Sequence, residues 1–236
     1  MKKIIIANHK MFLSQDESVA FERQIKNINF NNIDLIVCPN FLNLRNFENY
    51  SLGAQDCSTE TEGNHTGEVS AYHLSLIGIR YVICVHMERE GYEQASFVNM
   101  KIKQVLRNCM TPIVCIGETK CDNQMHRTSV VLKKQLITYL KDVILSNSQQ
   151  IIIAYEPEWS VGSGEVLSAK EIEDATIYIK KVMQQLNISN YKVIYGGSVN
   201  CYNALEIIKG CDGLMLGKSS TNYDEFKSII ESVKSV

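Results

Sequence analysis

The chain carries three prolines, one tryptophan and no Cys-x-x-Cys pair in 236 residues. So few prolines, with no low-complexity run, leave no linker, and the sequence reads as one domain over residues 1–236. Eight cysteines are present, at 38, 57, 84, 109, 115, 121, 201 and 211, but none has zinc-finger spacing. No secretory leader is expected, because Met1-Lys2-Lys3 runs into only four apolar residues. Without a leader a disulfide framework is not expected. Cys84 and Cys115, set inside apolar runs, read as small buried hydrophobes. No stretch approaches the length of a membrane span. A formal net charge of -2 gives no reason to expect nucleic acid or an anionic membrane as partner. The expectation is a reduced, cytoplasmic protein.

What is present is a rhythm. Eight apolar runs recur: Ile4–Ala7, Leu35–Val37, Leu52–Ala54, Tyr81–Val85, Ile113–Ile116, Ile151–Ala154, Val193–Tyr195 and Leu214–Leu216. Each is apolar throughout, as in a strand buried on both faces of a parallel sheet. Helical patterns fall between most of them. Ser14 with Glu17 makes a capping box ahead of Phe21, Ile25 and Ile28. Met100 and Val105 suggest a helix before the fifth run, and Val131, Leu132, Leu136, Leu140 and Ile144 a long one before the sixth. Ser168 with Glu171 caps a stripe of Ile172, Ala175, Ile179, Val182 and Leu186. Strands alternating with helices imply parallel pairing through right-handed crossovers. Eight such units in this length predict an α/β fold, a closed (β/α)8 barrel. A doubly wound open sheet is the alternative, but no GxGxxG opens a helix after an early strand.

In such a barrel chemistry sits at the C-terminal ends of strands. The sixth run ends in Glu156, then Pro157, which has no N–H to extend the ladder, then the only tryptophan and a Gly-spaced segment to Gly164. An acid on a rigid strand end beside a loop that can move suits a catalytic base under a lid. The other reading is an ordinary strand–loop–helix joint with a solvated glutamate. The first run ends Asn8-His9-Lys10, where Lys10 is either an anion clamp or a solvated loop residue. The fourth ends in His86, followed by Glu88 and Arg89. The seventh and eighth give Gly196-Gly197-Ser198 and Gly217-Lys218, at the place where barrel loops bind phosphate through free N–H groups.

Taken together these stretches resemble the triosephosphate isomerases. Ala154–Gly164 is similar to that family's A-Y-E-P-V-W-A-I-G-T-G, Asn8–Lys10 to N-x-K, and Val85–Glu90 to G-H-S-E-R-R. Cys115–Glu118 matches C-I-G-E, and Tyr195–Val199 matches Y-G-G-S-V. Gly63–Ser70 resembles the family's interdigitating loop, which ends T-G-E-[VI]-S. The resemblance implies a single TIM barrel that interconverts dihydroxyacetone phosphate and glyceraldehyde 3-phosphate, a step of glycolysis and gluconeogenesis. It implies Glu156 as base, neutral His86 as electrophile and proton shuttle, Lys10 and Asn8 at the developing charge, and Glu88 as the partner of Lys10. Arg89 would be structural. Backbone N–H groups of Gly162, Ser198, Gly217 and Lys218 would hold the phosphate. Thr66 and Gly67 would contact a second subunit of a homodimer. No metal or organic cofactor is implied.

Several positions depart from the family pattern. Val85 replaces Gly and adds bulk near His86; Met87 replaces Ser and removes a hydroxyl that in relatives holds the base in its open position; Glu90 replaces Arg. Lys218 replaces Gly, at a cost of roughly 1–2 kcal/mol if the residue requires positive φ. Glu158 and Ser160 are changes in the lid, and His9 stands where an aromatic residue is usual, with no role assigned. These departures motivate two rivals: an isomerase of a longer sugar phosphate such as a tetrulose phosphate, and a non-catalytic paralogue that only binds sugar phosphate. Retention of Glu156, His86 and Lys10 counts against the second.

Overall fold

The computed structural model describes residues 2–89 and 93–234; Glu90 lies outside them. All eight predicted strands form: β1 (Lys3–Asn8), β2 (Ile33–Cys38), β3 (Ser51–Ala54), β4 (Tyr81–Val85), β5 (Thr111–Ile116), β6 (Ile151–Tyr155), β7 (Tyr191–Tyr195) and β8 (Gly213–Leu216). They pair in parallel in sequence order, and β8 closes the ring on β1 with Ile4 opposite Gly213. Their solid apolar character follows from burial on both faces. Along β1, Ile4 and Ile6 point into the barrel with Ile36, Ile113, Ile152 and Met215, while Ile5 and Ala7 face the surrounding helices.

Among the described residues the α-helices are α1 (Gln15–Ile25), α2 (Ala71–Leu76), α3 (Ala95–Arg107), α4 (Lys120–Gln124), α5 (Thr128–Tyr139), α6 (Ala169–Gln185), α7 (Ala204–Lys209) and α8 (Tyr223–Val233). Both expected capping boxes form, Ser14 with Glu17 and Ser168 with Glu171. Each satisfies two otherwise orphaned N–H groups at a helix start, and loss of such a cap costs about 1 kcal/mol. The stripe of α6 buries Ile172, Ile179 and Val182. Each such side chain contributes roughly 1.5–3 kcal/mol by leaving water.

The helix ends differ from the sequence pattern. The helix before β6 stops at Tyr139, so Ile144 is left exposed. The chain turns out of the helix through Asp142 in the left-handed region (φ 55°). Ile28 is buried although α1 ends at Ile25. In α3 the inward face is Val98, Ile102 and Val105, and Met100 points outward.

Candidate active site

The buried mouth of the barrel gathers side chains from several strand ends. Glu156 follows β6 directly, and its N–H still bonds the Ile116 carbonyl (2.8 Å), so its backbone is fixed by the β5 ladder. Pro157 ends the ladder there. The carboxylate is almost wholly buried, lies beside the Cys115 thiol and fills the space where a side chain at Gly196 would overlap it. Burial pushes the Glu156 carboxyl up from its ordinary value, against the opposing pull of His86 and Lys10. A base with a raised pKa is better matched to proton abstraction near neutral pH.

His86 follows β4, and its Nε2 lies 3.2 Å from Glu156 Oε2. That oxygen has no well-aligned hydrogen-bond donor, so the two groups face one space rather than bonding each other. The N–H of Glu88 donates to His86 Nδ1 at 3.1 Å. A nitrogen that accepts a hydrogen bond carries no proton, so the imidazole is the neutral Nε2–H tautomer, aimed inward. The Glu88 carboxylate sits 3.6 Å from the same Nδ1, too far for a hydrogen bond. It bonds Lys10 Nζ instead, at 2.6 Å. Half-exposed Glu88 makes this pair worth at most about 1 kcal/mol; its use is to aim the cation.

Lys10 adopts a left-handed backbone (φ 51°), a conformation unfavourable for a long side chain. Two contacts hold it. Its N–H donates to Asn8 Oδ1 (3.2 Å), and Gln55 Nε2 donates to the Lys10 carbonyl (2.8 Å) and to the Cys38 carbonyl (2.9 Å). Asn8, Lys10, Gln55, His86 and Glu88 share a cleft of about 360 Å³ with Met11 and Phe12. Glu156 adjoins this cleft through His86.

The phosphate candidates surround the same mouth. Gly162 is at the exposed tip of the lid with φ 69°, which a side chain would strain. Lys10's stem packs against Gly217, and Lys218 opens the turn Lys218–Ser220 with its side chain in solvent. Lys218 is not among the residues with positive φ, so the strain cost conditional on that conformation does not arise. Ser198 does more than sequence suggests. Its hydroxyl donates to the Ser160 carbonyl (2.5 Å) and accepts from the Gly164 N–H (3.0 Å), docking the lid against the end of β7. Thr66 and Gly67 sit on an exposed loop fastened at its base by Ser58 N–H to the Val69 carbonyl.

Two expectations about the departures change. Val85 packs outward among the helices at an irregularity in the β4–β5 register, so it adds no bulk beside His86. Met87 is the residue that faces inward, in the barrel cluster with Ile83 and Cys115. Other residues came without sequence signal. Buried Lys101 bonds Asp56 (2.6 Å) and Glu93 (2.7 Å), and Arg89 bonds the same two acids. This network pins the turn that supplies the Glu88 N–H to His86, in keeping with Arg89 as structural. Glu118, buried, accepts from the Tyr155 hydroxyl and Asn123 beneath the lid; only its place in C-I-G-E hinted at it. His86, Cys115 and Glu156 offer ligand atoms within 4.8 Å of one another. Burial and the neighbouring Glu156 hold the Cys115 thiol well above its ordinary pKa.

Comparison with known proteins agrees with this geometry. The sequence profile of the family described as Triosephosphate isomerase matches residues 3–233. The chain is 35% identical to the Triosephosphate isomerase of Alkaliphilus oremlandii (strain OhILAs), over 97% of this chain and 98% of that protein. It is 32% identical to that of Endomicrobium trichonymphae and 33% identical to that of Orientia tsutsugamushi (strain Ikeda), each over 99% of both chains.

Proposed function

The chain belongs to the triosephosphate isomerase family, and from that premise we propose that its barrel mouth interconverts dihydroxyacetone phosphate and D-glyceraldehyde 3-phosphate by proton transfer through an enediolate. One observation carries the assignment of roles: the buried Glu156 carboxylate and a neutral imidazole face one space, 3.2 Å apart. Carboxylate base and neutral imidazole acid are the established pairing of this family. Glu156 removes the C1 proton and returns it to C2. His86 donates from Nε2 to the enediolate oxygens and returns the proton between them. Lys10, aimed by Glu88, stabilises the negative charge as it forms, and Asn8 orients the oxygen and the Lys10 backbone. Gly162, Ser198, Gly217 and Lys218 hold the phosphate by backbone N–H groups, with the Ser198 hydroxyl reserved for the lid. Lid closure excludes water and protects the enediolate from losing phosphate.

The tetrulose-phosphate reading loses a main support, since Val85 points away from the pocket. Steady-state assays with both triose phosphates and a four-carbon ketose phosphate test the choice. Turnover of both triose phosphates, with at least about tenfold lower kcat/KM for the longer substrate, is expected from one misplaced carbon in a closed site. No turnover of either triose phosphate overturns the function.

A homodimer is part of the proposal. Met11, next to Lys10, is 95% exposed, and Thr66 and Gly67 of the loop are exposed as well. An exposed methionine beside a catalytic lysine fits a seat for a partner's loop. Sedimentation at micromolar concentration should give about twice the 26.7 kDa chain mass; a fully active monomer refutes it. No helix among the described residues is long and apolar enough to cross a membrane. Five free cysteines buried as core packing, and a net charge of -2, support a cytoplasmic enzyme without nucleic-acid partners.

A further inference from the structure

Ser160 occupies a lid position where the family motif carries alanine, and it is fully buried. Its Oγ donates to the Glu165 carbonyl at 2.7 Å and lies 3.2 Å from the Tyr195 hydroxyl. A serine has one hydroxyl proton, and the Glu165 carbonyl takes it. The Tyr195 hydroxyl must therefore be the donor in its contact with Ser160. A directed chain results: Tyr195 O–H to Ser160, Ser160 O–H to the Glu165 carbonyl. It runs from the end of β7 into the lid. A side chain at Gly197 would overlap both Ser160 Oγ and Tyr195 Oη, so the chain needs glycine there. With alanine at 160 the Tyr195 proton and the Glu165 carbonyl both lose their partner.

We propose that Ser160 is a positioning residue of the lid: its hydroxyl ties loop 160–165 to Tyr195 in the docked arrangement and prolongs the time the lid stays over Glu156. The role rests on the isomerase reading for what the lid protects, but the latch has a readout independent of turnover. Trp159, the only tryptophan, adjoins Ser160 in the lid with its ring half-buried. Its fluorescence relaxation after a temperature jump, with inorganic phosphate as the probe ligand, reports lid opening directly. In Ser160→Ala the opening rate should rise about fivefold, the effect of losing one or two hydrogen bonds of ordinary net strength. In turnover, more inorganic phosphate should be released per isomerisation. Tyr195→Phe cuts the same chain, so the double variant should open little faster than either single variant. Unchanged Trp159 relaxation in Ser160→Ala, even with lowered thermal stability, overturns the latch, and so do single effects that simply add. Absence of wild-type isomerase activity bears on the proposed function alone and leaves the relaxation result to decide the latch.

Discussion

Glu156→Asp is expected to lower kcat by at least about 10²-fold while KM moves by less than about threefold. Aspartate keeps the charge but withdraws the carboxylate by one methylene, about 1 Å. The native carboxylate has a defined seat between the Cys115 thiol, the bare face of Gly196 and His86 Nε2. Its backbone cannot follow the shorter side chain inward, because the N–H is bonded to Ile116 and the next residue is proline. Proton abstraction depends on the distance from oxygen to C1, so the loss falls on the chemical step. In the proposed mechanism other loops hold the phosphate, in ground state and transition state alike, so binding should change little. Steady-state kinetics in both directions, on a variant with native circular dichroism, measure this. A kcat within twofold of wild type removes Glu156 from the role of base.

The second large effect lies beside the site, at His9. Its ring is buried, edge-on to Phe21 and Phe47 with centroids 5.3 and 5.4 Å away, and neither nitrogen has a well-formed hydrogen bond. Burial lowers its pKa to about 4, and an approach to the Ser220 backbone offsets this only in part. In the unfolded chain a histidine titrates near 6.5. Between those values the unfolded chain binds a proton that the folded one refuses. Stability therefore falls as pH drops from about 6.5 to about 4, and at pH 5 the loss from this one residue is about 2 kcal/mol. His9→Phe, which places an aromatic ring in an aromatic setting, should shrink the stability difference between pH 8 and pH 5 by that amount. At pH 8 the slightly larger ring should cost about 1 kcal/mol or more by overpacking. Urea unfolding at both pH values, at one fixed protein concentration, checks it. Equal pH dependence in the two proteins means that His9 does not govern acid stability.

The strands were legible because parallel strands in a barrel are buried on both faces and read as unbroken apolar runs. The same property hid their facing. In Tyr81–Val85 nothing in the sequence distinguishes inside from outside, and the register irregularity shifts the phase, so Val85 was expected in the pocket and lies on the outer face. Helix starts announced themselves through Ser14 and Ser168, whose caps are local chemistry. The end at Tyr139 did not, because Asp142 in a left-handed conformation leaves no glycine as a marker. Glu156, His86 and Lys10 were findable as polar residues closing apolar runs. The residues that aim them were not. Gln55, Lys101 and Ser160 each bond one partner 35 or more residues away (Lys10, Asp56 and Tyr195), and those contacts exist only once the barrel has closed.

Gln55 also bears on how such barrels can be recombined. Its single amide donates to carbonyls in the loop after β1 and at the last residue of β2, while the residue itself follows β3. Three consecutive βα units thus share one donor. Replacing it with glutamate would keep the shape and reverse the sign of the interaction, since a carboxylate offers those carbonyls no proton. In a chimera, a crossover between residues 38 and 55 would take the amide from one parent and the strained Lys10 backbone from the other. A crossover after residue 57 would inherit the whole arrangement from one. The first three βα units are therefore best treated as a single heritable block, although the eightfold repeat of the chain suggests a seam after every strand.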